Sequence, residues 1–178
     1  GWTPKQTVSA QRELEGSGIE LDFVEQPVRG DDEEGMRYDT ERVSTPVMAD
    51  ESTFGAREVI ELIQMRGADI INIKLMKTGG ISNAIKIADI AAIYDVSCMM
   101  GCMLETSIGV SAAAHVAVAK SSSITRVDLD APSLATINPV SGGVRFEGPE
   151  ISITDTPGLG IDNISELSML RFDKAAAS

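Results

Sequence analysis

Apolar residues recur along this chain in two rhythms, and the rhythms alternate. Short runs of strand length, IELDFVE, PVMADE, DIINIKL, VSCMM and ITRVDLD, are separated by longer segments with helical spacing. The first helix is read from GWTPKQTVSAQRELEGSG: Thr3 suits the cap, Pro4 the first helical position, and Gly16 and Gly18 the end. A charged loop, DDEEG, leads into a helix around MRYDTERVS, and EVIELIQM forms the next with apolar positions about 3.6 apart. Gly79 and Gly80 turn the chain into ISNAIKIADIAAIY, and TSIGVSAAAHVAVAK predicts a helix of small residues.

Strict alternation of strand and helix implies a parallel sheet. Five such units predict an α/β fold, an incomplete (β/α) barrel of TIM type over residues 1–130. A closed eight-stranded barrel takes ~250 residues. Past Asp130 the alternation stops. Residues 131–178, rich in Gly and Pro with two short β-like pieces, VRFEG and EISIT, read as a segment packing on the barrel or on a neighbouring domain. NISELSMLRFDKAAAS predicts a short helix with a frayed end. A half barrel leaves two unpaired edges, and Gly1 begins directly at a helix. The expectation is therefore a chain lacking its amino-terminal barrel strands.

With 178 residues, 43% of them apolar, the chain can bury one core of ordinary size. A net charge of −12 argues against nucleic acid or an anionic membrane as partner. No apolar run approaches the ~18 residues of a membrane span, and nothing reads as a signal peptide. Cys98 and Cys102, beside methionines in SCMMGCML, lack the second pair or the histidines a zinc site needs. They read as reduced, packed thiols, and a cytoplasmic location is expected.

The candidate chemistry sits at strand ends. Glu25 closes one apolar run, Asp50 the next and Lys74 the third, with 25 and 24 residues between them. That is about one strand–helix unit, so the three should meet at one mouth of the sheet. Two carboxylates suit Mg2+, an oxygen-seeking cation, although each alone could equally cap a helix or pair with a lysine. Lys74 is a candidate base, its pKa lowered by desolvation and a nearby cation; a salt bridge to Asp50 or Glu25 and a Schiff-base role are the alternatives. Asp128 and Asp130 in VDLD should share one strand face, their repulsion relieved by a substrate ammonium or by Arg126 or Arg145. His115 reads as a packed residue, and the DDEE run as a solvated loop.

Taken in order, VEQP, MADES, NIKLMKTGGISNAIKIADIA, GCMLETSIG and PGLGI resemble the enolase superfamily, in its muconate-cycloisomerase-like branch. The resemblance runs from about residue 1 to 161, and VDLD looks like the Asp-x-Asp signature of the dipeptide epimerases in that branch. It implies Glu25 and Asp50 as two of three Mg2+ ligands, Lys74 as one of two acid/base lysines, and Asp128 and Asp130 as holders of a dipeptide's ammonium group. The reaction implied is epimerisation of the L-Ala-D/L-Glu type: α-proton removal, then reprotonation on the other face. The pairing of a lysine base with Mg2+ is general to such sites.

Members of this branch also carry a Lys-x-Lys motif, a third metal-ligand aspartate and an α+β capping domain, none of which occurs in this sequence. This partial chain alone is thus expected not to catalyse. Self-assembly into a homo-oligomer is the expectation for the complete enzyme. The competing expectations are o-succinylbenzoate synthase or cycloisomerase chemistry on the same scaffold, and a non-catalytic half barrel that buries its edges against a copy of itself.

Overall fold

A computed structural model describes residues 1–165. Helix α1 (Pro4–Gly16) starts where the sequence sets it. Thr3 Oγ1 accepts from the Gln6 amide while Gln6 Oε1 accepts from the Thr3 amide, a reciprocal cap with proline at the first turn. Strand β1 is only Val24–Glu25, far shorter than the run IELDFVE predicts. It lies at the sheet edge with one neighbour, and only two residues find a partner there. Helix α2 (Glu33–Thr40) begins earlier than expected, inside the acidic run. Asp32 Oδ1 accepts from the Gly35 amide, and Glu33 and Glu34 occupy the first turn, where the helix dipole favours negative charge.

The alternation then continues through β2 (Val47–Ala49), α3 (Ala56–Gln64), β3 (Ile70–Lys74), α4 (Leu75–Thr78), α5 (Ile81–Ile93), β4 (Ser97–Gly101), α6 (Ser107–Ala119) and β5 (Ile124–Asp128). The single turn α4 was not legible as a helix. Gly79 ends it at φ 76°, a left-handed conformation open to glycine. The five strands form one parallel sheet in the order β1-β2-β3-β4-β5, a partial (β/α) barrel.

The two faces of the sheet are packed differently. Val47, Ala49, Ile71, Ile73, Cys98 and Met100 join the helices in the main core. The opposite face carries Met48, Ile70 and Met99 with Phe23 against them. Residues two apart on a strand share a face, so Glu25, Asp50, Asn72, Lys74, Gly101 and Asp128 all lie on this second side.

Beyond β5 come a single turn, α7 (Ala131–Leu134), and two small antiparallel pairings. Strand β6 (Val140–Gly142) pairs with β9 (Ile161–Ile164), and β7 (Arg145–Glu147) with β8 (Glu150–Ser152). The pieces VRFEG and EISIT are thus the two arms of a hairpin. The small residues of α6 let this segment close in: Ser111 Oγ accepts from the Val144 amide at 3.1 Å, and Asn138 Nδ2 donates to Ser107 Oγ at 2.5 Å. A Cβ on Gly143 would stand 2.5 Å from Ser111 Oγ. The short helix expected over the last sixteen residues lies outside the described residues, apart from its first three. Among the described residues no helix is long and apolar enough to cross a membrane.

Helices α1 and α2 meet over a buried carboxylate. Asp39 is fully buried, and neither carboxylate oxygen has a hydrogen-bond partner among the described residues. Burial first, and the charge of Asp32 beside it, push its pKa to about 6 against the opposing pull of Thr7. The folded state therefore holds a proton that the unfolded state releases at lower pH, so this group costs stability as pH rises from about 4 through 6. Asp39→Asn should raise the melting temperature above pH 7 by roughly 2–4 °C, the shift that about 1 kcal/mol makes in a chain this long. The gain should shrink as pH falls below 6 and vanish only below about pH 3.5, under the unfolded-state pKa. Equal gains at both pH values in thermal melts would contradict it.

Candidate active site

Strand stagger sets the site. In register Glu25 lies beside Met48, and Met48 beside Ile70; Asn72 lies beside Met99, and Lys74 beside Gly101, which in turn faces Asp128. Asp50 therefore sits further along its strand than Glu25, and Lys74 further than Asp50, as the tilt of a barrel requires. Lys74, Gly101 and Asp128 form a row across three strands, with adjacent strands ~4.8 Å apart.

Asp50 is the hub. Its side chain is 6% exposed, and Lys74 Nζ donates to Oδ2 at 2.6 Å. Lys77 Nζ, on the next turn, donates to Oδ1, to the Asp50 carbonyl at 2.6 Å and to the Asn72 carbonyl at 3.1 Å. Of the alternatives for Lys74, the salt bridge to Asp50 is therefore present. Its pKa is not lowered. Desolvation pulls it down, but the hydrogen bond it donates to Asp50 and the charges of Asp50, Glu25 and Glu51 together push it up. Lys77 goes the other way: deeper burial outweighs its bond to Asp50, and its pKa falls.

Glu25 is tied in from two strands away, where Asn72 Nδ2 donates to its Oε1 at 2.7 Å. The other amide atom of Asn72, Oδ1, is buried with no donor among the described residues. Gly101 leaves room for this amide, since a Cβ there would come within 2.5 Å of Oδ1 and 3.1 Å of Lys74 Cε. Gln26 shapes the turn after Asp50. Held at φ 36°, it accepts at Oε1 from the amides of Asp50 and Ser52 and donates from Nε2 to Ser52 Oγ.

The acidic pair is placed differently from expectation. Asp128 ends β5, but Asp130 has left the strand and precedes α7 in a helical conformation, with Leu129 buried between them. Both aspartates are exposed. Neither forms an ion pair among the described residues; Arg126 reaches Ser97 and Thr125 instead. His115 lies on α6, apart from the cluster, and Asp32, Glu33 and Glu34 belong to the start of α2.

Sequence reasoning missed Gln26, Asn72 and Lys77. Two of these had a signal. Asn72 stands two residues before Lys74, hence on its face, and Lys77 follows Lys74 by one helical turn. Gln26 had none, because its role depends on a turn 24 residues away.

As a donor set for a hard cation the cluster is all oxygen: the carboxylates of Glu25 and Asp50, with the undonated Asn72 Oδ1 between the strands. It fits two carboxylate positions of a Mg2+ site. Among the described residues no three His, Cys, Asp or Glu side chains converge on one point.

Known proteins are similar to this chain over most of its length. The chain is 47% identical to an L-Ala-D/L-Glu epimerase of Clostridium acetobutylicum over 165 residues, which are 93% of this chain and 46% of that protein. In a substrate-liganded complex of the L-Ala-D/L-Glu epimerase from Bacillus subtilis, 93% of this chain superposes on 46% of that one, with TM-score 0.90 and 47% identity. The dipeptide epimerase from Enterococcus faecalis, in complex with Mg and the dipeptide L-Leu-L-Tyr, is 46% identical with TM-score 0.86, over 91% of this chain and 46% of that one. The chain thus spans about half the length of these relatives. A sequence model of one family matches residues 1–166, and the chain belongs to it: the enolase C-terminal domain-like family.

Proposed function

We propose that this chain supplies the acid/base, metal-holding and ammonium-holding side chains of a dipeptide epimerase of the L-Ala-D/L-Glu type. One observation carries the reading: two carboxylates, a paired lysine and two exposed aspartates lie at one mouth of the sheet. Glu25 and Asp50 would hold Mg2+. When bound, that ion supplies positive charge to the substrate carboxyl group and makes the neighbouring α-proton easier to remove.

Lys74 lies at the mouth, on the strand between the metal-holding carboxylates and Asp128. In this reading its Nζ takes the α-proton from one face of the substrate. The electron pair of the broken C–H bond moves onto the carboxyl group, and a proton delivered to the opposite face by a second acid, the other lysine that the resemblance implies, inverts the centre. Asp50 orients Lys74 for this task. A lysine raised by its carboxylate partners gives up its proton readily only once those partners are otherwise engaged, so Asp50 links cation binding to the base.

Asp128 and Asp130, exposed and in no ion pair among the described residues, would take the substrate's ammonium group. Their separation along the chain end, rather than along one strand, lets them approach that group from two directions. Lys74 and Asp128 lie two strands apart, on the order of 10 Å, which takes the ~5 Å from a dipeptide's α-ammonium to its second α-carbon plus a contact of ~3 Å at each end.

Three variants of the full-length protein test this with L-Ala-D-Glu and Mg2+. Lys74→Ala should cut kcat by roughly 100-fold or more, as loss of a proton-transfer group does. Asp128→Asn combined with Asp130→Asn should raise KM by about 10-fold or more with a smaller effect on kcat. Gly101→Ala should lower kcat by up to roughly 100-fold, because the added methyl displaces Asn72 and Lys74. Full turnover by Lys74→Ala would sink the role given to that lysine. An unchanged KM in the double variant would return the reading to o-succinylbenzoate synthase or cycloisomerase chemistry.

A further inference from the structure

Two lysines one helical turn apart share a single aspartate, and they are not equivalent. Lys74 reaches Asp50 Oδ2 from the mouth, with 15% of its side chain exposed. Lys77 reaches Oδ1 from within, with 8% exposed. We propose that Lys77 is a positioning residue: its buried ammonium fixes the Asp50 carboxylate for the cation and for Lys74, and itself exchanges no proton with substrate.

The geometry points to this because Lys77 has three N–H groups and meets three oxygens. They are Asp50 Oδ1, the Asp50 carbonyl and the Asn72 carbonyl. An ammonium presents three donors and no acceptor, so its capacity is filled. No N–H is left for a substrate. The acceptors come from the end of β2 and from within β3, so one side chain pins the two strand ends together.

Holding both the backbone carbonyl and one carboxylate oxygen of the same residue fixes more than position. It fixes the rotation of the carboxylate plane, and so decides which oxygen faces the mouth. That oxygen, Oδ2, is the one Lys74 now touches. The framework reaches Glu25 as well, because Asn72, whose carbonyl Lys77 holds, donates its side-chain amide to Glu25. One buried cation thereby orders both carboxylates proposed to hold Mg2+.

The single-turn helix α4 serves this arrangement. Leu75 and Thr78 are buried on it, and Gly79 and Gly80 at positive φ end it at once. The chain turns back within four residues, which brings Lys77 beneath the strand that carries Lys74. An apolar residue at 77 would leave the buried Asp50 Oδ1 without its ammonium donor, while the Asp50 carbonyl would keep the Thr53 amide and hydroxyl.

This proposal rests on the reading of Glu25 and Asp50 as Mg2+ ligands. The test is the Mg2+ dissociation constant of the full-length protein by isothermal titration calorimetry, without substrate, for wild type, Lys77→Met and Lys77→Arg. Lys77→Met should bind Mg2+ about 10-fold or more weakly, as loss of an outer-shell partner typically does, with its circular dichroism spectrum unchanged. Lys77→Arg, which keeps the charge and several donors, should recover part of that loss. A folded Lys77→Met with wild-type affinity or tighter overturns the proposal and leaves the metal reading standing. A wild-type protein that binds no Mg2+ overturns both. Should Lys77→Met fail to fold, Lys77→Gln takes its place with the same two outcomes, since its amide keeps a donor but not the charge.

Discussion

Everything at the mouth of this sheet depends on one buried carboxylate. Asp50 is almost fully out of water, where an unpaired charge would cost several kcal/mol. Two ammonium groups, one on each oxygen, make its burial tolerable. That requirement propagates outward. It keeps Lys77 buried, it holds Lys74 at the mouth, and it ties the end of β2 to β3 through the Asn72 carbonyl. Gln26 completes the ring by receiving the Asp50 amide.

Parallel strands make such a cluster possible. Each strand enters from a helix and ends at the same rim, so the residue after each apolar run arrives at one place. The stagger between neighbouring strands then sets Glu25, Asp50 and Lys74 at successive depths rather than in one crowded row. The glycines act at two points of close approach. Gly101 gives Asn72 and Lys74 their room, and Gly79 stops α4 after one turn. In the proposed reaction, the metal-holding carboxylates and the ammonium-holding aspartates flank the lysine, so a dipeptide would lie across the sheet with its second α-carbon near Lys74 Nζ.

Much of this was legible in the residues. The alternation of apolar rhythms carries the parallel order, because strand and helix periods are local properties that buried faces enforce. The spacing of Glu25, Asp50 and Lys74 carries their convergence for the same reason. What escaped depended on contacts between distant parts of the chain. The run IELDFVE looks like a strand throughout, yet only Val24 and Glu25 find a partner at the sheet edge. Asp130 looks like a strand residue by alternation, yet the strand ends at Asp128 and the chain turns into α7, which carries a proline in its first turn. The acidic run read as loop becomes the first turn of α2, because Asp32 caps it. Lys77 was hidden by Lys74: two lysines in one motif invite a choice of one catalyst, and only their burial separates the roles.

The central claim is that this mouth breaks a C–H bond next to a carboxyl group. Solvent exchange reads that event without depending on the position of the final equilibrium. The full-length protein, incubated in D2O with Mg2+ and L-Ala-D-Glu, should place deuterium at the α-carbon of the glutamate, seen by proton NMR as loss of that signal. L-Ala-L-Glu should accumulate, and chelation of the metal should stop both. Epimerisation without deuterium uptake, or exchange that continues undiminished after chelation, would contradict the account.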